Sequence, residues 1–80
     1  MAHILTAEIY SKNNQTLARL SSRKEEGVLR GHHVDVPIIE SQEGWIICEI
    51  IEYLNVELNI DVIQVVNVFP KSIRFLVKFQ

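Results

Sequence analysis

The most apolar part of this chain, the stretch from residue 41 to residue 69, limits what the rest of the sequence can fold around. It opens with Ser-Gln-Glu-Gly-Trp and continues into two runs that are rich in isoleucine and valine. A chain of 80 residues can form one domain, and so short a chain buries only roughly 60–65% of its unfolded surface. The sequence therefore predicts a single domain, residues 1–80, in which every other segment packs on this stretch.

The first half of the stretch has the spacing of an amphipathic helix. Its apolar side chains recur at i, i+1, i+4, i+5 and i+8 and share one face; they are Ile46, Ile47, Ile50, Ile51 and Leu54. Glu49 and Glu52 fall on the opposite face, whereas a central strand would have to bury one of these carboxylates at a large cost. The pattern predicts a helix over about residues 42–55, which Ser41 caps and Asn55 closes.

The other apolar segments have the spacing of β-strands. Residues 3–10 alternate between the two faces, and residues 73–80 do the same after a tight turn at Pro70. Residues 62–69 are apolar on both faces except at two amides, which is typical of a central strand. Residues 28–39 are also extended, but a proline within them removes a ladder donor and indicates an edge or the end of a strand.

The segment from residue 16 to residue 26 fits two structures. It can form a helix between Asn14 and Gly27, but that helix would bury too little apolar surface to offset its ordering entropy. It can instead form two hairpins, the first with residues 3–10 across Asn13-Asn14 and the second across residues 23–27. We favour the hairpins, because asparagine tolerates the left-handed backbone of tight turns.

These elements together predict an α+β fold. The sheet has four or five strands, antiparallel or mixed, and the helix at about 42–55 packs on one of its faces. The element order is β-β-β-α-β-β, with β-α-β-α-β-β as the alternative. The predicted core comprises Ile9, Val34, Val36, Ile46, Ile47, Ile50, Ile51, Leu54, Val62, Val65, Val66, Val68, Phe75 and Val77.

No pattern in the sequence indicates catalysis, a metal or a cofactor. His32 and His33 are adjacent, so in an extended chain they point to opposite faces and cannot easily chelate one ion. Cys48 has no basic neighbour in sequence that would activate its thiol. The three glycines, at positions 27, 31 and 44, match neither a dinucleotide motif nor a phosphate loop. We therefore expect no enzymatic activity, no metal and no cofactor.

The cellular location is predicted from what the sequence does not contain. No apolar run approaches the roughly 20 residues that a transmembrane helix needs. The first residues do not form a basic segment followed by an apolar one, as a secretory signal would. A single cysteine forms no internal disulfide, which suits a reducing compartment. We expect a cytoplasmic protein without a membrane partner.

Basic side chains are concentrated toward the two ends of the chain, and residues 32–61 contain no lysine or arginine. The N-terminal group would provide a nucleic-acid surface; it comprises Lys12, Arg19, Arg23, Lys24 and Arg30. The net charge of −2 and the lack of interleaved aromatic residues argue against such a surface. Nucleic-acid binding is therefore the alternative function.

The first hypothesis is a non-enzymatic, regulatory module that contacts another protein or a second copy of itself. Trp45 lies near Glu49 and Glu52 on the helical wheel, and tryptophan is enriched in interface hot spots. The last strand has no later strand to pair with, so we expect it at an edge where a homodimer forms. Its predicted contact residues are Phe75, Val77 and Phe79. In the competing arrangement the last strand pairs inside the sheet with residues 3–10, and residues 28–39 lie at the edge instead. No small-molecule substrate is indicated.

Overall fold

The computed structural model describes residues 2–22, 29 and 32–79, which form five strands and one helix. In chain order they are β1 (Ala2–Lys12), β2 (Gln15–Ser22), β3 (His33–Ile38), α1 (Glu43–Val56), β4 (Ile60–Phe69) and β5 (Ser72–Phe79). The helix packs against the sheet, and every pair of neighbouring strands is antiparallel. The predicted α+β class and the order β-β-β-α-β-β are confirmed.

The strands lie in the order β3-β2-β1-β5-β4. The first and last strands of the chain therefore pair at the centre of the sheet, where Leu5 lies opposite Phe75. The two strands that flank α1 in sequence, β3 and β4, form the two edges. The helix thus connects one edge of the sheet to the other.

The first hairpin, β1 and β2, turns at two asparagines. Lys12 pairs with Gln15, and between them Asn13 and Asn14 have φ values of 52° and 61°. Two successive residues with positive φ are the mark of a type I′ turn, whose twist matches that of the strands it joins. The predicted hairpin is confirmed, and the helical alternative for residues 16–26 is wrong over 16–22. The predicted second turn, residues 23–27, lies outside the described residues.

The predicted central position of residues 62–69 is wrong, because β4 pairs only with β5 and lies at the edge. Its register with β5 shifts twice, between Val62 and Gln64 and between Val65 and Asn67. Each shift inserts one extra residue, as a β-bulge does. The strand is apolar on more than one side because it is bulged and carries exposed apolar residues, whereas the central strands β1 and β5 alternate between more buried and more exposed positions.

The predicted edge position of the last strand is also wrong. Strand β5 lies between β1 and β4, and Phe75 and Val77 are fully buried. The competing arrangement, in which the last strand pairs with residues 3–10, is the one observed. One edge is therefore β3, as the proline in the segment 28–39 indicated.

The helix is shifted by one residue from its predicted bounds, and its caps differ. Gln42 is the N-cap, without a side-chain hydrogen bond, so Ser41 does not have the predicted role. Asn55 lies inside the helix, and the left-handed residue that redirects the chain is Asn59, with φ of 55°. An asparagine does close this region, but one turn later than predicted.

The core lies between α1 and the sheet face that α1 covers. Its fully buried larger side chains are Phe75, Leu5, Leu20, Ile50, Leu54, Ile60 and Val77. The predicted helix face is confirmed, since Ile46, Ile47 and Ile51 pack against this core. The prediction fails at Val66 and Val68, each 41% exposed, and it missed the buried residues of β1 and β2.

Candidate functional site

A groove lies between the outer face of α1 and the end of β3, and we call it the helix groove. One part is a cleft of about 310 Å³ between Pro37 and Ile39 on one side and Tyr53 and Val56 on the other. A second depression of about 350 Å³ adjoins it and extends along the helix to Trp45. The two depressions share Ile39, Glu49 and Glu52, so they form one continuous surface.

Helical spacing accounts for the wall that α1 contributes. Trp45, Glu49, Glu52 and Val56 are separated by intervals of three and four residues, which place them on one face together with Cys48. This face is opposite the buried one, so its side chains remain at the surface. Trp45 is 59% exposed and Val56 is 71% exposed, although both are large and apolar.

The opposite wall ends at Ile39, which is 91% exposed and directly follows β3. Its position is fixed by Glu49, whose carboxylate accepts hydrogen bonds from the backbone N–H of Ile39 at 3.1 and 3.2 Å. The N–H of Glu40 donates to the same carboxylate at 3.1 Å. The helix therefore holds the connection after β3 in place, and with it the exposed isoleucine at the rim of the helix groove.

The charges around the helix groove have one sign. Its charged lining residues are all acidic; they are Glu40, Glu49, Glu52 and Glu57. The segment 32–61, which includes the whole helix, contains no lysine or arginine. A surface with apolar residues and one sign of charge favours a ligand that is itself apolar and oppositely charged.

Three of the six predicted contact residues meet in the helix groove, namely Trp45, Glu49 and Glu52. The other three lie on β5: Phe75 and Val77 are fully buried in the core, and Phe79 is half-buried, with its ring 4.8 Å from that of His3. Two exposed apolar residues of the groove, Ile39 and Val56, were not among the predicted contact residues. The outer-face spacing would have found Val56 if the helix had been extended beyond residue 55, but no local signal identifies Ile39.

The basic residues predicted for nucleic-acid binding, where described, lie outside the helix groove. Arg19 lies opposite Asp35 in the sheet and donates to both carboxylate oxygens, at 2.9 and 3.3 Å. Its guanidinium also lies 5.1 Å from the ring centre of Tyr10. The hydrogen bonds from Arg19 lower the pKa of Asp35, so this carboxylate stays ionised to more acidic pH than an unpaired one would. An arginine that is already paired is less available to a phosphate.

Lys12, in contrast, is exposed at the end of β1, next to the first turn. The remaining basic residues of that alternative, Arg23, Lys24 and Arg30, lie outside the described residues. The described contacts therefore give the nucleic-acid alternative no specific support.

The candidates for metal binding or catalysis are the histidine, cysteine and carboxylate side chains. Within 2–22, 29 and 32–79, no three histidine, cysteine or carboxylate side chains are grouped as they would be around a metal ion. Cys48 is exposed on the helix, and His32 and His33 are exposed immediately before β3 and at its first position. No helix in the described part of the chain has the length and apolar character needed to cross a membrane.

Comparison with known proteins adds no relative: no family model, curated protein or solved structure matches this chain.

Proposed function

We propose that this protein is a small non-enzymatic, regulatory binding module of the cytoplasm. Its helix groove binds an amphipathic helix of a partner protein, with apolar side chains on one face and lysine or arginine beside them. One observation carries the proposal: Ile39, Trp45 and Val56 are strongly exposed around a single groove in which every charged lining residue is acidic.

The exposed side chains support a protein ligand. Large apolar side chains scattered singly on a surface are ordinary, but a group of them beside a concave surface marks an interaction site. Tryptophan is among the residues that contribute most when an interface forms. Trp45 and Val56 lie at opposite ends of the outer face of α1, so a partner would contact an apolar group at each end of the groove.

The dimensions of the groove support a helix as the occupant. Eleven residues separate Trp45 from Val56, which corresponds to roughly 16 Å along the helix axis at 1.5 Å per residue. Three turns of a partner helix have about this length. An amphipathic helix in a groove is a recurring mode of recognition, with anchors at intervals of three and four residues.

The acidic rim determines the charge of that helix. Lysine and arginine side chains on the partner would lie near Glu52 and Glu57, and opposite charges speed association and exclude acidic competitors. Glu49 is already engaged by backbone N–H groups, so it contributes negative charge at the site without being free to reorient.

The test uses a defined probe, a fluorescein-labelled 14-residue peptide of sequence Leu-Lys-Lys-Leu-Leu-Lys-Leu written twice. Its anisotropy should rise on titration with the protein. A second measurement uses the unlabelled peptide and the single tryptophan of the chain, whose emission should shift to shorter wavelength as Trp45 is covered. A peptide with glutamate in place of lysine should not bind.

Matched substitutions separate the helix groove from general charge attraction. Val56→Lys and Glu52→Lys should each weaken binding at least tenfold. Their controls are Ile4→Lys and Glu8→Lys, which place the same changes at exposed positions of β1, outside the lining of the groove, and should leave binding unchanged. The proposal fails if the acidic peptide binds equally well, or if the groove variants bind like the unsubstituted protein.

A further inference from the structure

The two edges of the sheet differ in how well they are protected against another strand. Strand β3 has six residues, including Pro37, which lacks an N–H donor, and the charged Asp35. Short length, proline and charge are the usual means by which an edge avoids pairing with other chains. Strand β4 has ten residues, contains no proline, lysine or arginine, and has one charged residue, Asp61, near its start.

The two bulges of β4 create an apolar stripe along this edge. Val62, Val65 and Val68 lie opposite Val77, Phe75 and Ile73 of β5, and the residues inserted between the paired positions are Ile63 and Val66. Half of the exposed large apolar side chains in the described part of the chain lie on this one strand. We call them the β4 stripe; they are Ile63 (55% exposed), Val66 (41%), Val68 (41%) and Phe69 (47%).

Bulges often protect an edge by twisting it and by exposing a charged residue there. In β4 both inserted residues are apolar, so the bulges add apolar surface to the edge. The sequence repeats this arrangement, because each valine that lies opposite β5 is followed by a large apolar residue, Ile63, Val66 or Phe69. This edge is thus built to contact an apolar surface.

We propose that the β4 stripe binds the β4 stripe of a second copy of this chain, with the two strands antiparallel about a two-fold axis. A two-fold axis perpendicular to the strands makes them run antiparallel, as all neighbouring strands of this sheet already do. The contact is self-complementary, because the two-fold axis brings the β4 stripe of one copy onto the β4 stripe of the other.

The charges near β4 fit this arrangement. If the axis passes near Val66, Ile63 of one copy lies opposite Phe69 of the other, and the two Val66 side chains lie opposite each other. Asp61 then lies level with Lys71, in the turn that follows β4 of the other copy, and opposite charges across a strand pair favour this pairing. A parallel pairing in register would instead place the two Asp61 carboxylates beside each other, so charge selects the antiparallel arrangement.

The size of the β4 stripe determines how strongly we expect the two copies to associate. Four side chains from each copy form a contact at the low end of specific interfaces, where complexes are transient. The expected dimer therefore dissociates on dilution. Sedimentation equilibrium should give a mass that rises with concentration from 9.2 kDa toward twice that value.

The stripe is tested with a double substitution, Ile63→Lys with Val66→Lys, which should give the monomer mass at every concentration. The matched control, Ile39→Lys with Val56→Lys, removes two exposed apolar residues from the helix groove and should leave the dimer intact. A monomer of the unsubstituted protein at one millimolar overturns the proposal. So does a dimer that persists in the stripe variant and dissociates in the groove variant.

Charge exchange tests the register and does not depend on the folding of the lysine variant. Asp61→Lys and Lys71→Asp should each weaken the dimer, and the two changes together should restore it. Because Asp61 also lies opposite Lys78 within one chain, the melting temperature of each variant is measured as well. A combined variant that dimerises no better than the single ones overturns the antiparallel arrangement.

Discussion

Two glutamates on one face of the helix make different contacts, and this difference cannot be inferred from their spacing in the sequence. Glu49 and Glu52 are three residues apart, and the sequence assigns them the same role in partner contact. In the structure the carboxylate of Glu49 accepts backbone hydrogen bonds from Ile39 and Glu40, whereas Glu52 is exposed to solvent. Glu49 therefore stabilises the connection between β3 and α1 as well as lining the groove.

This difference predicts unequal costs for the same substitution. Glu49→Ala should lower the free energy of unfolding by about 1–2 kcal/mol, because hydrogen bonds to a charged acceptor are lost from a partly exposed site. Glu52→Ala should change it by less than about 0.5 kcal/mol, as surface substitutions usually do. Alanine changes helix propensity equally at both sites, so the difference between the two urea-unfolding midpoints reports the hydrogen bonds. Equal midpoints would show that these bonds contribute nothing.

At the scale of elements, the two hairpin turns of the sheet have different backbone requirements. Asn14 adopts φ of 61° in the first turn, and among the described residues positive φ is otherwise found, outside glycine, at Asn13 and Asn59. The turn between β4 and β5 has Pro70 and Lys71 at its centre, and Lys71 has no positive φ. Glycine is favourable only where the backbone is left-handed.

The same substitution should therefore have opposite effects at the two turns. Asn14→Gly should raise the free energy of unfolding by about 0.5–1 kcal/mol, since it relieves the left-handed strain of a type I′ turn. Lys71→Gly should lower it by a similar amount, about 0.5–1 kcal/mol, because glycine gives the unfolded chain more freedom. Thermal unfolding measures both, at about 4–8 °C per kcal/mol for a domain of this size. A shift of the same sign in both variants would contradict this account of the turns.

Local sequence patterns predicted the helix and the strands well, but they predicted poorly which strands lie beside one another in the sheet. The helix follows from the spacing of Ile46 to Leu54, and the first hairpin from Asn13-Asn14, because both depend on residues close in sequence. Whether a strand lies at the centre or at the edge depends on which distant segment pairs with it. Strand β4 resembled a central strand because bulges expose its apolar residues, and β5 was predicted at the edge because no later strand follows it.

The candidate site was likewise predictable only where its residues lie close together in sequence. Trp45, Glu49 and Glu52 could be grouped from the sequence because one helix carries all three. Ile39 could not be added, since its place beside them depends on how β3 meets α1. The charge of the groove was already visible as a stretch of 30 residues, 32–61, without lysine or arginine.

At the scale of the whole molecule, the sheet consists of two parts, β3-β2-β1 and β5-β4, joined by the pairing of β1 with β5. Within this pairing, Leu5 and Phe75 lie opposite each other and are fully buried. The first and last strands therefore hold the halves together, and the helix connects the outer edges across the covered face.

The pairing of β1 with β5 should behave as one cooperative contact between the two halves of the sheet. Leu5→Val and Phe75→Leu each remove buried volume and should each cost about 1–2 kcal/mol of unfolding free energy. Because the two side chains are direct cross-strand neighbours, the double variant should depart from the sum of the single effects by at least about 0.5 kcal/mol. The control pairs Phe75→Leu with Ile38→Val on β3, three strands away at roughly 14 Å, where the effects should add. Denaturant unfolding of the five variants measures both cycles, and strict additivity at Leu5 and Phe75 would show that the halves are held together elsewhere.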